Sequence, residues 1–191
     1  MKLILASTSR YRRELLERLG VPFVAVAPLV DEDEYKMRGL DPRGLAETLA
    51  REKAMNVAAR FQDAVVIGSD QVAVLDGLAL GKPGSIDNAI SQLQAMSGRA
   101  HDLVTAIAVI YDGGLIACTN VTRLVMRPLT SDEIRRYVET DLPLDCAGSY
   151  KLESRGIALF QSIESDDHTA IVGMPLIALT TILRNVGFAV P

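Results

Sequence analysis

Hydroxyl and guanidinium groups are concentrated at the start of the chain, in the sequence MKLILASTSRYRR. The apolar run Leu3 to Ala6 predicts a buried strand, and leucines at helical spacing after Arg13 predict a helix with Ser9 at its N-cap. Backbone N–H groups, hydroxyls and arginines would then meet at one helix N-terminus, a combination that binds phosphate. Arginines in a first helical turn oppose the helix dipole, and a bound anion would explain them. The alternative is a turn whose arginines are merely solvated.

Further ionisable residues interrupt or flank apolar runs later in the chain. Asp70 follows the buried strand 64–68, a place where a rigid scaffold presents catalytic groups, although Asp in Ser-Asp-Gln also suits a plain turn. Lys53 is predicted on a helix and Lys82 in a restrained loop between Gly and Pro. Glu32 belongs to an acidic cluster, 31–34, that is otherwise interpreted as a solvated loop. Together, cations would neutralise a polyphosphate, carboxylates would hold a divalent metal, and one carboxylate would activate water.

Composition limits the classes of function. The chain has 191 residues, a net charge of −4 and 49% hydrophobic residues, which indicates one globular domain without long-range attraction to nucleic acid or acidic membranes. No apolar run approaches the roughly 20 residues of a membrane span, and the start does not resemble a signal peptide, so a cytoplasmic location is expected. Two histidines and two isolated cysteines favour a hard, oxygen-bound metal, Mg²⁺ or Mn²⁺. P-loop and dinucleotide-binding motifs are absent; a Ser–His–acid triad stays open, although no G-x-S-x-G motif occurs.

The elements that must position these residues alternate between strand and helix. Turn signals at Asp76-Gly77 and Asp112-Gly113-Gly114 predict hairpins, and Thr130 with Glu133 predicts a capping box. The alternation predicts an α/β fold with a mixed sheet and flanking helices. Beyond those described, the predicted strands are 23–27, 72–75, 101–111, 115–126 and 157–161, and the predicted helices are 41–60, 85–98, 130–140 and 172–186, with 142–156 mostly loop.

A set of motifs in fixed order resembles the Maf family of nucleoside triphosphate pyrophosphatases. They are ASTSxxRRELL, VDE, REKA, IGSDQV, GKP, MSG, CAGSYKLE and VGMPL, and they cover essentially the whole chain. The resemblance implies a mixed, twisted sheet like that of inosine-triphosphate pyrophosphatases, in a single two-lobed domain over residues 1–191 with a central cleft. It also implies hydrolysis of a nucleoside triphosphate to the monophosphate and pyrophosphate, a divalent cofactor (Mg²⁺ or Mn²⁺), and a homodimer.

The same resemblance assigns roles to individual residues. It makes Asp70 the proton acceptor, and it places Glu32 with Asp70 as the acidic residues that would hold the metal. It assigns substrate binding to the phosphate loop and to lysines of the cleft, namely Ser7, Arg12, Arg13, Lys53 and Lys82.

Tyr11, Gln71 and Glu153 resemble the branch of the family that hydrolyses 7-methyl-GTP. Methylation at N7 makes the guanine ring cationic, so an aromatic face and a carboxylate would favour it over neutral bases. Arg10, where proline is common, and Tyr11, where tryptophan is expected, depart from the pattern; Tyr11 as a packing residue and Glu153 as a plain loop acid are the alternatives. Other functions left open are a dTTP/UTP or broad non-canonical nucleotide pyrophosphatase, and a nucleotide-binding regulator of cell division and septum formation.

Overall fold

A mixed sheet of seven strands organises the chain, of which the computed structural model describes residues 1–190. The strands are β1 (Lys2–Ala6), β2 (Val24–Ala25), β3 (Ala64–Leu75), β4 (Leu78–Leu80), β5 (Ala100–Tyr111), β6 (Gly114–Met126) and β7 (Phe160–Glu164). Their order is β2-β1-β3-β5-β6-β7, and β4 pairs with β3. β1 runs parallel to β2 and β3, whereas the other pairs are antiparallel, so the predicted mixed sheet is confirmed.

The helices flank this sheet, and most begin at a predicted cap. They are α1 (Arg10–Glu17), α2 (Glu32–Lys36), α3 (Pro42–Ala58), α4 (Ile86–Met96), α5 (Ser131–Asp141) and α6 (Leu176–Asn185). The side chains of Ser9, Asp41, Ser85 and Thr130 accept a backbone N–H in the first turn of α1, α3, α4 and α5. Thr130 and Glu133 form the reciprocal capping box. Within residues 1–190, no helix combines the length and the apolar character needed to cross a bilayer.

Both predicted hairpins form, because Asp-Gly supplies the backbone conformation that a tight turn needs. Asp112 and Gly113 have φ of 48° and 69°, and Asp76 and Gly77 have φ of 53° and 78°. Positive φ at both central residues defines the turn type whose twist matches that of the flanking strands.

Three predictions fail where tertiary contacts or local turns override the sequence pattern. The predicted strand 23–27 contains only the short β2. The acidic cluster, expected as a solvated loop, forms α2, because the side chain of Asp31 accepts the N–H groups of Asp33 and Glu34 and caps a helix. β3 does not pause after Gly68 but continues through Ser-Asp-Gln to Leu75, because its middle pairs with β5.

Two boundaries near the C-terminus are also shifted by short 3₁₀ turns. The turn Arg155–Leu159 delays β7 to Phe160, three residues later than expected from the pattern at 157–161. The turn Ala170–Val172 and Pro175 delay α6 to Leu176 instead of 172, because the proline occupies the N-cap position of that helix.

The core lies on both faces of β3, whose side chains alternate between them. Val66 and Val72 pack with α3, whereas Val65 and Ile67 pack with residues of α1 and α6. At Gly68 the backbone of α3 approaches so closely that a Cβ would overlap the carbonyl oxygen of Ala50. The glycine therefore sets how near α3 lies to the middle of β3.

Candidate active site

The cleft of the protein opens beside the middle of β3. β1 pairs with β3 only as far as Ala6 opposite Gly68, and β4 pairs with it from Ala73 onward. Between those two partners one edge of β3 is left to the cleft, at the carboxyl end of the parallel strand β1, where open α/β sheets bind ligands. Asp70 lies in this interval and pairs through its backbone with Ala106 of β5. The sequence placed Asp70 just past the end of a strand; it lies instead inside one, held by its neighbour β5.

A buried lysine joins two carboxylates at this point. Lys53 Nζ lies 2.7 Å from Asp70 Oδ1 and 2.6 Å from Glu32 Oε1. The side chains of Lys53 and Asp70 are only 7% and 9% exposed, whereas that of Glu32 is 37% exposed. Lys53 reaches this position from α3, which the missing side chain of Gly68 allows to approach β3. A buried charge of this kind is stable only when it is paired, as here.

The electrostatic environment of Glu32 is set by surrounding lysines. Burial alone would raise the pKa of Glu32, but the charge of Lys53 and its hydrogen bond, with the charges of Lys82 and Lys36, bring that pKa below its ordinary value. Glu32 is therefore ionised at neutral pH. Lys36 and Lys82 also line the cleft, so the same cations that act on Glu32 face any anion bound there.

The N-terminus of α1 forms the next part of the wall. Ser7 Oγ accepts the N–H of Ser9 at 3.1 Å, and Ser9 Oγ accepts the N–H of Arg12 at 3.4 Å. Arg12 Nε donates to the carbonyl oxygen of Gly173 at 3.1 Å. Burial lowers the pKa of Arg12, although the charges of Asp70 and Glu32 oppose that shift. In the part of the chain described, Arg12 forms no ion pair within 4 Å, so a half-buried guanidinium faces the cleft without a partner anion.

The predicted phosphate residues do not all share this wall. Ser7, Arg12, Lys53 and Lys82 line the cleft. Arg10, which belongs to the arginine cluster of the first helical turn but has no role assigned by the family resemblance, lines it as well. Arg13 is exposed and is not among the residues lining the cleft, because it lies on another side of α1. The roles of all these residues in substrate binding stay predictions.

Tyr11 and several acidic side chains form a second group along the cleft. The pKa of Tyr11 rises to about 12, first through burial and then through the nearby Cys146 and Asp145; Arg10 opposes the shift and Glu153 adds to it. Tyr11, Asp145, Cys146 and Glu153 all line the cleft. Sequence analysis missed Asp145, an exposed residue, because it lies in the predicted loop 142–156, where no periodic pattern marks a residue that lines a cleft.

Gln71 lines the cleft with one side of its amide already engaged. Its Nε2 donates to Thr105 Oγ1 and Ala170 O, both at 2.9 Å, and to Ile171 O at 3.1 Å. Thr105 Oγ1 donates its own proton to Ala170 O, so it must accept from Gln71. These neighbours fix the amide nitrogen toward residues 170–171 and leave Oε1 on the opposite side of the amide.

The cleft has a volume of about 660 Å³, within the range that takes a nucleotide-sized ligand. One group of lining residues is the lysine–carboxylate group with Arg12, and a second is Tyr11 with its acidic neighbours. The arrangement can bind a polyanion at the first group and a flat, electron-poor ring at the second.

Glu32 and Asp70 are the residues that could hold a divalent metal. Lys53 Nζ occupies the point between Asp70 Oδ1 and Glu32 Oε1, so a metal would bind the carboxylate lone pairs that the lysine does not use. Both carboxylates provide the hard oxygen donors that Mg²⁺ and Mn²⁺ prefer. Among residues 1–190 no group of three or more His, Cys, Asp or Glu side chains forms a complete metal site. Magnesium is commonly held by one or two carboxylates together with substrate phosphates, so this donor pair fits a metal that arrives with a polyphosphate.

A solved structure, several relatives and a family model are each similar to this chain over nearly its full length. The structure is similar to that of a HAM1 protein from Coxiella burnetii, with a TM-score of 0.51 and 16% identity, over 97% of this chain and 99% of the other. A protein named 7-methyl-GTP pyrophosphatase from Bdellovibrio bacteriovorus is 53% identical over 96% of both chains. Proteins of the same name from Xanthomonas campestris and Aromatoleum aromaticum are 51% and 52% identical over 100% of this chain and 98% of their own. Residues 2–186 match the family described as Maf-like protein, and the chain therefore belongs to the Maf family.

Proposed function

We propose that this protein is a nucleoside triphosphate pyrophosphatase that hydrolyses 7-methyl-GTP to 7-methyl-GMP and pyrophosphate. The observation that carries the proposal is one cleft that is lined both by Asp70, Lys53 and Arg12 and by Tyr11 with Glu153. Relatives about half identical over their full length bear the name 7-methyl-GTP pyrophosphatase, which supports the same substrate.

Asp70 is the proposed general base. Its Oδ1 accepts from Lys53 Nζ at 2.7 Å, which fixes the carboxylate and leaves Oδ2 to accept a proton from water. The water oxygen forms a bond to the α-phosphorus, the bond from that phosphorus to the bridging oxygen breaks, and pyrophosphate leaves with the electron pair. Arg12 and Lys82 would hold the phosphates and stabilise the charge on the leaving group. A divalent metal held by Glu32 and Asp70 would supply further charge neutralisation and a more acidic water.

The residues around Tyr11 support selection of a substrate whose nucleobase is cationic. Tyr11 offers an aromatic face, and Glu153 and Asp145 lie near enough to act on the pKa of its hydroxyl. A positively charged 7-methylguanine would gain from both the ring face and the carboxylates, whereas the neutral bases of GTP, UTP and dTTP would not gain from the carboxylate charges.

The test is pyrophosphate release from 7-methyl-GTP, GTP, dTTP and UTP, each with Mg²⁺ and with Mn²⁺. We expect the highest kcat/KM for 7-methyl-GTP. Glu153→Gln should lower the ratio of 7-methyl-GTP to GTP by roughly ten- to a hundredfold, the range for a hydrogen bond or contact to a charged group. Tyr11→Leu should lower it less, because an exposed cation–π contact contributes only about 0.5–1 kcal/mol.

Glu139→Gln provides the control, because Glu139 is an exposed acid of α5 outside the cleft. A ratio near one in the wild type, or one that Glu153→Gln leaves unchanged, contradicts the assignment of a methylated base. A preference for dTTP or UTP would assign the other specificity of the family. No turnover of any triphosphate would contradict the enzymatic proposal itself and favour a nucleotide-binding regulator.

A further inference from the structure

We infer that Ser69 and the backbone carbonyl of Gly173 position the guanidinium of Arg12 for a substrate phosphate; the inference rests on the proposed function. Two donors converge on that one oxygen. Arg12 Nε donates to Gly173 O at 3.1 Å and Ser69 Oγ donates to the same atom at 2.8 Å. Ser69 is fully buried, so water does not compete for its hydroxyl. Ser69 is thus a positioning residue that acts through Gly173 on Arg12.

The alternation of β3 links this contact to the proposed base. Asp70 points to the α3 side, where it meets Lys53, whereas Ser69 and Gln71 point to the opposite side, where they contact residues 170–173. Neighbouring residues of one strand therefore fix both the carboxylate and, through Gly173, the cation. The relative position of these two groups is set by the geometry of a single strand rather than by the long side chain of Arg12 alone.

Residues 167–173 hold the carbonyl of Gly173 in place. Gln71 and Thr105 donate to Ala170 O on one side. On the other, the buried carboxylate of Asp167 accepts the N–H of Thr169 and that of Ile177 in the first turn of α6. Because the segment is fixed at both ends, the carbonyl oxygen is a stationary acceptor for Arg12.

The backbone conformation of Gly173 suits this role. Its φ of +119° is one that residues with a side chain rarely adopt. A Cβ at this position would make ordinary van der Waals contact with Arg12, at 3.4 Å from Nε and 3.5 Å from Cγ, so it is the conformation and not a lack of space that calls for glycine. Glycine therefore allows the direction in which the carbonyl points at the arginine.

The contact determines which atoms of Arg12 remain for a ligand. With Nε engaged by Gly173, the Nη groups are the donors left to face the cleft, and they form the flat pair that binds two phosphate oxygens at once. A guanidinium held before the substrate arrives loses less conformational freedom on binding. Losing Ser69 should therefore weaken phosphate binding without removing any group that touches phosphate.

A double-mutant cycle tests the inference with inorganic tripolyphosphate, whose binding requires neither a base nor hydrolysis. Binding is measured by calorimetry for the wild type, Ser69→Ala, Arg12→Ala and the double variant. We expect Ser69→Ala to weaken binding about three- to tenfold, the range for one lost hydrogen bond. In the Arg12→Ala background, Ser69→Ala should change binding less than twofold, because a residue that acts through Arg12 has nothing left to position.

Ser97→Ala is the matched control. Ser97 Oγ also donates to a backbone carbonyl, that of Leu129, but lies outside the cleft, so this variant should bind tripolyphosphate like the wild type. If Ser69→Ala does not fold, Ser69→Cys runs the same cycle, because a thiol keeps most of the volume and donates only weakly.

An unchanged affinity in the Ser69 variant overturns the inference, and so does the same loss with and without Arg12, which would indicate general loosening. An Arg12→Ala variant that binds as tightly as the wild type also overturns it. Turnover of nucleoside triphosphates by the wild type is measured separately: its absence would refute the proposed function, whereas the tripolyphosphate cycle would still decide the role of Ser69.

Discussion

Replacing Lys53 by methionine is the sharpest test of the buried charge group, because methionine fills a similar space without a charge. In the protein, Lys53 Nζ lies 2.7 Å from Asp70 Oδ1 and 2.6 Å from Glu32 Oε1. The variant would leave Asp70, whose side chain is 9% exposed, facing Glu32 with no cation between them. Removing one partner of a buried ion pair costs about 3–5 kcal/mol, and we assign that cost to the pair with Asp70, since Glu32 is partly solvated.

The cost should depend on pH in a defined direction. Lys53 helps to hold the pKa of Glu32 below its ordinary value of 4.5, so the stability that this pairing contributes is present above that pH and is lost as pH falls. We therefore expect Lys53→Met to lower the free energy of unfolding by about 3–5 kcal/mol at pH 7 through Asp70, and by somewhat less at pH 4, where the smaller part that comes from Glu32 begins to be lost. In thermal unfolding, the loss at pH 7 corresponds to a fall in Tm of roughly 6–20 °C.

Urea unfolding at both pH values measures the effect, with Lys36→Met as the matched control. Lys36 also pairs with a carboxylate, Asp33, but that pair is solvent-exposed, so its loss should be within experimental error. A loss below about 1 kcal/mol at pH 7 for Lys53→Met would refute the interpretation that Lys53 compensates the buried carboxylate of Asp70. An equal loss at pH 7 and pH 4 would contradict the contribution assigned to Glu32.

Three further predictions concern the base, the phosphates and a buried histidine. Asp70→Asn should lower kcat by about 10²–10⁴-fold in a pyrophosphate-release assay, and a variant with more than half of the wild-type kcat would exclude Asp70 as the base. Arg12→Ala and Lys82→Ala should weaken triphosphate binding more than monophosphate binding, with a penalty that shrinks as salt rises; equal weakening of both ligands would argue against phosphate contacts. Burial lowers the pKa of His101 to about 4, so protonation of the unfolded state reduces stability as pH falls from 6.5 towards 4. His101→Phe should be spared this pH-dependent loss in the free energy of unfolding, which amounts to at most about 3 kcal/mol in the wild type. Urea unfolding at pH 7 and pH 4 measures it, and a variant with the wild-type pH dependence would contradict the prediction.

Local signals in the sequence were sufficient for much of the fold. The caps at Ser9 and Thr130 and the Asp-Gly turns depend on neighbouring residues alone, and the structure has them where the sequence predicts them. The continuous β3 was not predictable in this way. Ser-Asp-Gln breaks the apolar pattern, and only pairing with β5, more than 30 residues later in the sequence, makes those residues a strand.

In the candidate site, too, some residues were predictable from the sequence and others were not. The resemblance to a family provided Asp70, Lys53, Glu32 and Arg12, and the structure brings these side chains to one wall of the cleft. Arg13 carries the same charge as Arg12 but is exposed and does not line the cleft. The two differ in the direction in which their side chains leave α1, and the helix-end and dipole arguments do not predict that direction.

Ser69 and Asp145 gave no signal in the sequence. The role of Ser69 depends on a carbonyl 104 residues away, and Asp145 lies in a loop without periodicity. When the contacts of a residue are with atoms distant in the sequence, the residues next to it in the sequence do not indicate those contacts. Analysis of a single sequence therefore cannot find such a residue.

The pairing of β3 also has a consequence for motion. From Val66 to Val74 the strand is bonded without interruption to β5, so exposing its amides requires opening the centre of the sheet. We expect hydrogen exchange there to approach the rate of global unfolding. The cleft is also lined by Gly81, Lys82 and residues of the segment 145–153, which contains one short 3₁₀ turn and no sheet pairing. We therefore expect amides of these parts to exchange faster than those of β3, and any adjustment to different nucleobases to occur there rather than at Asp70.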